Sequence, residues 1–181
     1  MSTLSLRPIR SHDEPFLFRL YASTRADEMV LVDWSDEQIR AFLRMQFDAQ
    51  HKFYTERFAS AHFDLIELDG RPIGRLYLDQ RHDEIRVIDI SLLPEHRGRG
   101  IGGELMKSVL QQGIEAGLPV TIHVEQYNPA MRLYQRLGFK EVRMEGIYRL
   151  MEWRHEVETD FTSFGGSQAG MKLNSQPAVL D

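Results

Sequence analysis

The segment PEHRGRGIGGELM, residues 94–106, decides the fold of this 181-residue chain. It places four glycines and two arginines between an apolar, strand-like run and an amphipathic run. Glycine lacks a Cβ atom, so its backbone can approach a ligand closely. A helix N-terminus attracts anions through its free N–H groups and its dipole, and arginine adds fork-shaped donors. The segment therefore predicts a loop that binds a phosphate-bearing ligand.

The composition limits the class of protein. Apolar residues make up 42% and charged residues 27% of the chain, which is ordinary for one soluble domain. The net charge of −5 argues against broad binding to nucleic acid or a membrane surface. No apolar run reaches the ~20 residues of a membrane helix, and MSTLSLRPIR lacks the apolar core of a secretory signal. We therefore expect a cytoplasmic protein with no nucleic-acid or membrane partner.

The absence of cysteine narrows the chemistry further. It excludes disulfides, zinc–thiolate sites and a cysteine nucleophile. The seven histidines show no paired metal-ligand spacing, so we expect no metal site. The sequence also allows a homodimer.

The order of the elements indicates an α+β fold. A strand and two helices come first, and Ser11–Glu14 and Ser35–Gln38 fit capping boxes at the start of these helices. From Phe63 the apolar period changes to two, which predicts antiparallel strands. A helix, a strand, a short helix from about Pro129 and a closing hairpin follow the glycine loop.

These elements predict a mixed, mostly antiparallel sheet with helices on both faces. They form a single domain over residues 1–155. The composition then shifts toward glycine, serine and other turn formers, which predicts a flexible polar tail over residues 156–181.

Two other kinds of phosphate-binding loop have sequence patterns that resemble parts of this segment. The P-loop of nucleotide hydrolases requires a Lys-Ser or Lys-Thr pair that does not occur here. Gly98–Gly103 does satisfy the G-x-G-x-x-G pattern of dinucleotide-binding proteins, with Glu125 as a candidate ribose-binding acid. However, Pro94–Arg97 separates that pattern from the preceding strand, where the dinucleotide fold has a tight turn. An NAD(P)-binding oxidoreductase and a plain solvated connection remain as alternatives.

Two motifs resemble those of the GNAT superfamily of N-acetyltransferases. Arg97-x-x-Gly100-x-Gly102 matches the family's [RQ]-x-x-G-x-[GA] signature, within the longer stretch ISLLPEHRGRGIGGELM. NPAMRLYQRLGF, residues 128–139, is similar to the family's N-x-x-A-x-x-L-Y-x-x-x-G-F stretch. The resemblance covers residues 63–153. It implies an α+β enzyme that moves an acetyl group from acetyl-CoA to a primary amine, by direct transfer in a ternary complex.

The same resemblance implies which residues contact acetyl-CoA. The loop backbone holds the pyrophosphate, and the end of the preceding strand pairs with the pantetheine arm. The implied cofactor-binding residues are Leu92, Leu93, Arg97, Gly98, Arg99, Gly100, Ile101, Gly102, Gly103, Asn128 and Tyr134. An acyl-CoA-binding sensor without turnover would carry the same loop and is a further alternative. The acceptor would be a small-molecule or peptide amine.

Acyl transfer from a thioester requires that the amine lose a proton and that the departing thiolate gain one. A thiol has a pKa of about 8.5 and a phenol of about 10, so tyrosine can supply that proton at modest cost. Tyr134 occupies the position of the family's general acid. Its alternative role is that of a core aromatic beside Leu133 and Leu137.

Two carboxylates, Glu84 and Asp89, are candidate general bases because they lie on the strand that enters the loop. Strict alternation along this strand places Asp89 on one face with Ile85 and Val87. The alternatives are a structural aspartate bonded to backbone or arginine, and a chain of water molecules that relays the proton.

Overall fold

The computed structural model describes residues 3–156, so the predicted tail lies outside the described residues except for Glu156. The seven strands are β1 (Leu4–Pro8), β2 (His62–Leu68), β3 (Arg71–Gln80), β4 (Ile85–Leu92), β5 (Val120–Glu125), β6 (Lys140–Glu145) and β7 (Tyr148–Trp153). The four α-helices are α1 (Glu14–Met29), α2 (Asp36–Arg57), α3 (Ile101–Ala116) and α4 (Met131–Arg136). Short 3-10 turns cover Ser11–Asp13 and Pro94–His96.

The strands form one mixed sheet in the order β1-β2-β3-β4-β5-β7-β6. Within residues 3–156, β4 and β5 are the only parallel neighbours, and the other neighbouring pairs are antiparallel. The β4–β5 ladder extends only from Ile85–Val120 to Val87–Ile122, although β4 continues to Leu92 and β5 to Glu125. The two central strands therefore separate. We call the gap between their carboxyl-terminal ends the strand opening.

Helices pack on both faces of the sheet, which confirms the predicted α+β architecture. On one face α3 and α4 bury aliphatic side chains against β3, β4 and β5, with Met106 and Val109 at the centre. On the other face α1 and α2 form a smaller cluster with β2. Its members are Leu17, Tyr21, Leu43, Phe47 and Leu65.

The two helices of that second face begin differently. The capping box predicted at Ser35 is confirmed, because Ser35 Oγ accepts from the Gln38 N–H while Gln38 Oε1 accepts from the Ser35 N–H. The box predicted from Ser11 to Glu14 does not form. Asp13 instead accepts from the Arg10 N–H at 2.8 Å, and its carboxylate pairs with Arg7 at 2.7 Å.

A β-bulge in β4 corrects the predicted face of Asp89. Asp89 pairs with Tyr77 and Val87 pairs with Leu78, which leaves Ile88 as the extra residue. The extra residue reverses the alternation, so Val87 faces α3 while Asp89 faces α2. Strict alternation in the sequence could not predict this reversal.

Candidate functional site

The glycine loop reaches the strand opening with its backbone N–H groups free. Gly98 and Gly100 both adopt left-handed backbone conformations, with φ values of 70° and 82°. Within residues 3–156, none of the six amides from Gly98 to Gly103 donates a backbone hydrogen bond. The first donor along α3 is the Glu104 N–H, which bonds to the Gly100 carbonyl at 3.0 Å. Six consecutive N–H groups at the positive end of a helix dipole form a site for an anion.

The arginines of the loop do different things. The Arg97 N–H donates to the Pro94 carbonyl at 3.1 Å, so the row of free amides begins at Gly98 rather than at Arg97. The Arg97 guanidinium turns away from the amides, because Nε donates to the Leu92 carbonyl at 2.8 Å and Nη2 contacts Ser23 of α1 at 3.3 Å. Arg99 is exposed and makes no ion pair within the described part of the chain. Arg99 is therefore the arginine available to an anion on the loop.

The end of β4 has fewer free backbone hydrogen-bonding groups than the prediction of both Leu92 and Leu93 as binding residues requires. The Leu93 N–H donates to the Ile73 carbonyl at 2.9 Å, so it points into the sheet rather than into the strand opening. Since successive residues of a strand alternate, the backbone groups of Leu92 and Ile90 point the other way, toward the opening. The Leu92 carbonyl is the one that Arg97 occupies.

The second motif packs directly against the loop helix. Cβ atoms added to Gly102 and Gly103 would lie 3.8 and 3.5 Å from the side chain of Leu133 in α4. These are ordinary contact distances, and they show that Leu133 packs directly on the first turn of α3. The close approach brings the two motifs together at the strand opening.

Tyr134 of α4 is 4% exposed and its ring packs edge-on against Phe139. No hydrogen-bond partner for its hydroxyl occurs among residues 3–156. Burial, together with the negative charge of Asp89, raises the pKa of Tyr134 to about 12. The hydroxyl is therefore protonated at neutral pH.

Asn128 forms the turn before α4 rather than its N-cap. Its Oδ1 accepts from the Ala130 N–H at 2.8 Å, and its carbonyl accepts from the Met131 N–H at 3.0 Å. The helix begins at Met131, later than the predicted start at Pro129. An Asx turn of this kind holds the side chain and the backbone of Asn128 together.

Asp89 lies in a polar network that the sequence did not reveal as a whole. Its Oδ2 accepts from Arg75 at 2.7 Å and from the Tyr54 hydroxyl at 3.4 Å, and its Oδ1 accepts from Ser91 at 2.6 Å. Arg75 is only 3% exposed and also donates to Gln50 at 2.8 Å. Asp89 therefore is bonded to an arginine, as one of the alternatives in the sequence analysis proposed.

Tyr54 extends this network to α2, because its hydroxyl donates to Asp89. It lies on α2, and burial first, then the charges of Asp89 and of Tyr148 on β7, raise its pKa above the ordinary range. Sequence analysis missed Tyr54 and Arg75 because no local pattern links positions on α2 and β3 with β4. The one signal in the sequence was the charged Arg75 within the mostly apolar strand PIGRLYLD.

Glu84 lies at the opposite end of β4 from the glycine loop. Its Oε1 accepts from Arg81 at 2.7 Å, and its Oε2 accepts from the Thr121 hydroxyl at 2.6 Å. At about 3.3 Å per residue, Glu84 is ~25 Å along the strand from Leu92. Asp89 therefore lies in the part of β4 that has separated from β5, and Tyr134 lies on the helix beside the loop, whereas Glu84 lies at the far end of β4.

A sheet that opens beside a row of free amides defines the class of a protein that binds an anionic ligand at the end of two separated strands, and sequence comparison gives the family. The profile of the Acetyltransferase (GNAT) family matches residues 7–139. The chain belongs to this family, which sets the oxidoreductase alternative aside. Within residues 3–156, no helix combines the length and the apolarity that crossing a membrane requires.

Curated relatives and solved structures agree with that assignment. Mycothiol acetyltransferase of Thermomonospora curvata is 30% identical over 141 residues, 76% of this chain and 44% of that protein. The enzyme of the same name from Corynebacterium aurimucosum is 44% identical over 55 residues, 29% of this chain and 18% of that protein. The chain spans less than half the length of each of these relatives.

Two solved structures share the fold. PaiA N-acetyltransferase of Thermoplasma acidophilum, in complex with coenzyme A, aligns with a TM-score of 0.65 at 19% identity, covering 84% of this chain and 99% of that one. An acetyltransferase of Thermus thermophilus aligns with a TM-score of 0.60 at 20% identity, covering 84% and 97%.

Proposed function

We propose that this protein is an acetyl-CoA-dependent N-acetyltransferase that acetylates a primary amine by direct transfer in a ternary complex. The observation that carries the proposal is the row of six free amides from Gly98 to Gly103 at the strand opening. Family membership supports the class of reaction. The coenzyme A in the PaiA structure supports the cofactor.

The chain's own groups fit this cofactor. The loop amides and Arg99 would hold its diphosphate, since both are free to donate. The backbone of Ile90 and Leu92 would hold its amide-bearing arm along β4, and Asn128 would fix the turn beside that arm. The Leu92 carbonyl becomes available only when the Arg97 guanidinium releases it.

Tyr134 would supply the proton that the departing thiolate needs. Acetyl-CoA brings an activated thioester, and the acceptor nitrogen forms the new C–N bond as the C–S bond breaks. The pKa of Tyr134, raised to about 12, keeps the hydroxyl protonated across the physiological range.

Asp89 is the proposed acceptor of the amine's proton, because it is the carboxylate that faces the strand opening. Glu84, already bonded to Arg81 and Thr121 at the other end of β4, would serve structure alone. The absence of cysteine in the chain agrees with transfer that forms no thioester on the protein.

The test measures cofactor binding and turnover separately. Coenzyme A and NAD are compared as thermal stabilisers, and thiol release from acetyl-CoA is followed with a panel of primary amines that includes the acceptor of mycothiol acetyltransferase. We expect stabilisation by coenzyme A alone and acetylation of at least one amine. Binding of coenzyme A with no acetylation of any amine would support the sensor instead.

Matched variants at the two ends of α3 test the loop itself. Gly100 and Gly117 both have left-handed φ values, 82° and 65°, so alanine at either costs about 1–2 kcal/mol of stability. We expect only Gly100→Ala to weaken coenzyme A binding. Equal loss in both variants would contradict the role of the loop amides.

Three smaller predictions accompany the proposal. A cytoplasmic location is tested by cell fractionation, and a homodimer by sedimentation of the full chain. The domain boundary at residue 155 is tested by comparing the turnover of the full chain with that of a chain ending there.

A further inference from the structure

We propose that Tyr54 relays a proton from the acceptor amine to Asp89, and that Arg75 is the positioning residue that holds Asp89 for this transfer. This inference rests on the proposed function and deepens it. Its basis is the chain of contacts from Arg75 to Asp89 to Tyr54, all on the α2 face of the sheet.

The first step is the position of Asp89. The bulge at Ile88 turns the Asp89 side chain toward α2 at the point where β4 has already separated from β5. Bulges beside functional sites commonly re-aim a side chain in this way. Without the extra residue, Asp89 would face α3 among aliphatic groups.

The second step concerns the free-energy cost of burying the Arg75 guanidinium. Its guanidinium is nearly fully buried, its Nη2 bonds to Asp89 and Gln50, and its Nε has no partner among residues 3–156. A buried ion pair seldom stabilises a fold more than well-packed apolar residues would. A role in holding one carboxylate orientation explains why an incompletely satisfied arginine lies here.

The third step is the position of the Tyr54 hydroxyl. It bonds to Asp89 Oδ2 at 3.4 Å, and its ring is held by Tyr77 at 6.0 Å between centroids. Asp89 Oδ1 is already bonded to Ser91, and Oδ2 to Arg75. Both carboxylate oxygens are thus engaged, and the Tyr54 hydroxyl is the bonded group of Asp89 that can both accept and donate a proton, so the proposed path from the amine to Asp89 runs through it.

The transfer balances. The amine N–H bond breaks and its proton goes to Tyr54 Oη, while the Tyr54 O–H proton goes to Asp89 Oδ2. Asp89 becomes neutral, Tyr54 is regenerated, and Asp89 later releases its proton to solvent. The amine has then lost the extra proton of its ammonium form. As the C–N bond forms, the nitrogen loses a second proton, which replaces the one that Tyr134 gives to the departing thiolate. The titratable and charged groups bonded to Asp89 are Arg75 on β3 and Tyr54 on α2, and, besides their burial, its negative charge raises the pKa values of Tyr77 on β3 and Tyr134 on α4.

The test compares two tyrosines that face the same cluster. Tyr54→Phe removes the relay hydroxyl, whereas Tyr77→Phe removes a hydroxyl that is buried and has no partner within residues 3–156. With an amine acetylated by the wild-type enzyme, we expect Tyr54→Phe to lower kcat/KM at pH 7 by about 100-fold. We expect Tyr77→Phe to stay within about twofold of wild type, since its hydroxyl has no part in the relay.

The pH profile separates a relay from a structural role. An amine has a pKa of about 10, so at higher pH it needs no base, and the deficit of Tyr54→Phe shrinks toward wild type. Arg75→Lys should show a smaller deficit of the same shape, with KM for acetyl-CoA unchanged. Arg75→Met is a second variant, and Arg75→Lys keeps the test informative if Arg75→Met does not fold.

The outcomes are distinct. A deficit in Tyr54→Phe that is independent of pH, or equal deficits in both phenylalanine variants, overturns the relay while the acetyltransferase activity stands. A wild-type protein that binds coenzyme A but acetylates no amine overturns the proposed function, and the relay with it.

Discussion

The α3–α4 face of the sheet is packed with aliphatic side chains, whereas the α1–α2 face combines aromatic rings with buried or half-buried ion pairs. On the first face, sixteen buried residues form one cluster that includes Tyr134. On the second, a smaller cluster lies beside the pairs Arg75–Asp89 and Arg7–Asp13. The strand opening lies between the two faces.

This difference suits the two faces to two tasks, binding of the cofactor and binding of the acceptor. A rigid aliphatic face holds the glycine loop and Tyr134 in fixed positions, which suits a cofactor that is common to a whole family. A face built from long polar side chains can change its charges and its shape by single substitutions. This property suits the binding of an acceptor amine that differs between members of the family. The predictions below test whether the faces divide the work in this way.

The largest expected effect is at Tyr134. Tyr134→Phe removes the hydroxyl and leaves the ring that packs on Phe139. We expect kcat to fall by about 100-fold, while the affinity for coenzyme A changes little. Stopped-time thiol assays and calorimetric titration measure the two quantities.

The matched control for Tyr134 is Tyr127→Phe, because Tyr127 lies in the turn before α4 and is 89% exposed. We expect this control to behave as wild type. A kcat for Tyr134→Phe within twofold of wild type would show that the cofactor face supplies no acid.

The next effect is at Gly74, where β3 approaches the end of β4. A Cβ atom there would lie 2.3 Å from the Ser91 carbonyl oxygen and 2.8 Å from the Leu92 side chain. Gly74→Ala should therefore destabilise the fold by about 3 kcal/mol. Because Ser91 bonds to Asp89 and Leu92 borders the loop, both faces should lose function.

Gly146→Ala is the control for Gly74, since its Cβ meets nothing within 4 Å and only its φ of 62° is unfavourable. Urea unfolding compares the two variants. If Gly146→Ala costs as much as Gly74→Ala, close approach of β3 to β4 is not what requires glycine at residue 74.

A third effect concerns charge on the α1–α2 face. Asp13 bonds to both terminal nitrogens of Arg7, which lowers the pKa of this carboxyl from 3.8 to about 2. A lowered pKa in the folded protein stabilises it above about pH 4, and this stabilisation is lost as the pH falls toward 2. Asp13→Asn should cost about 2 kcal/mol at pH 7 and almost nothing near pH 2.

Val109→Ala provides the comparison on the aliphatic face, where Val109 is 1% exposed. Its cost should not depend on pH, because no charge is involved. Chemical unfolding at several pH values measures both variants. A pH-independent cost for Asp13→Asn would contradict the charge-based stability of the α1–α2 face.

The two faces also differ in how far sequence predicts them. The loop, α3 and the second motif are local patterns, so their positions followed from glycine spacing and helical period. Asp89 was placed on the wrong face because a bulge at Ile88 leaves no mark in the alternation.

The polar network was harder still. Arg75, Tyr54 and Asp89 come from β3, α2 and β4, so only the tertiary fold brings them together. Glu84 and Asp89 were both candidate bases on one strand, and only the tertiary contacts show that Glu84 bonds to Arg81 and Thr121 whereas Asp89 bonds to Arg75. Contacts between elements that are distant in the chain leave no periodic pattern in the sequence, so the sequence alone did not predict this network.

The smallest effect distinguishes the two arginines of the loop. Arg99 is free to contact a diphosphate, so Arg99→Gln should raise the Kd for coenzyme A about threefold, as expected for one exposed charge. The salt dependence of binding should also weaken. Arg97→Gln removes the bond to the Leu92 carbonyl, so it should lower stability with less effect on Kd. Titration at two salt concentrations tests both. If Arg97→Gln loses more affinity than Arg99→Gln, the Arg97 guanidinium must leave Leu92 and Ser23 when the cofactor binds, and this one side chain would then connect the glycine loop to α1 on the α1–α2 face.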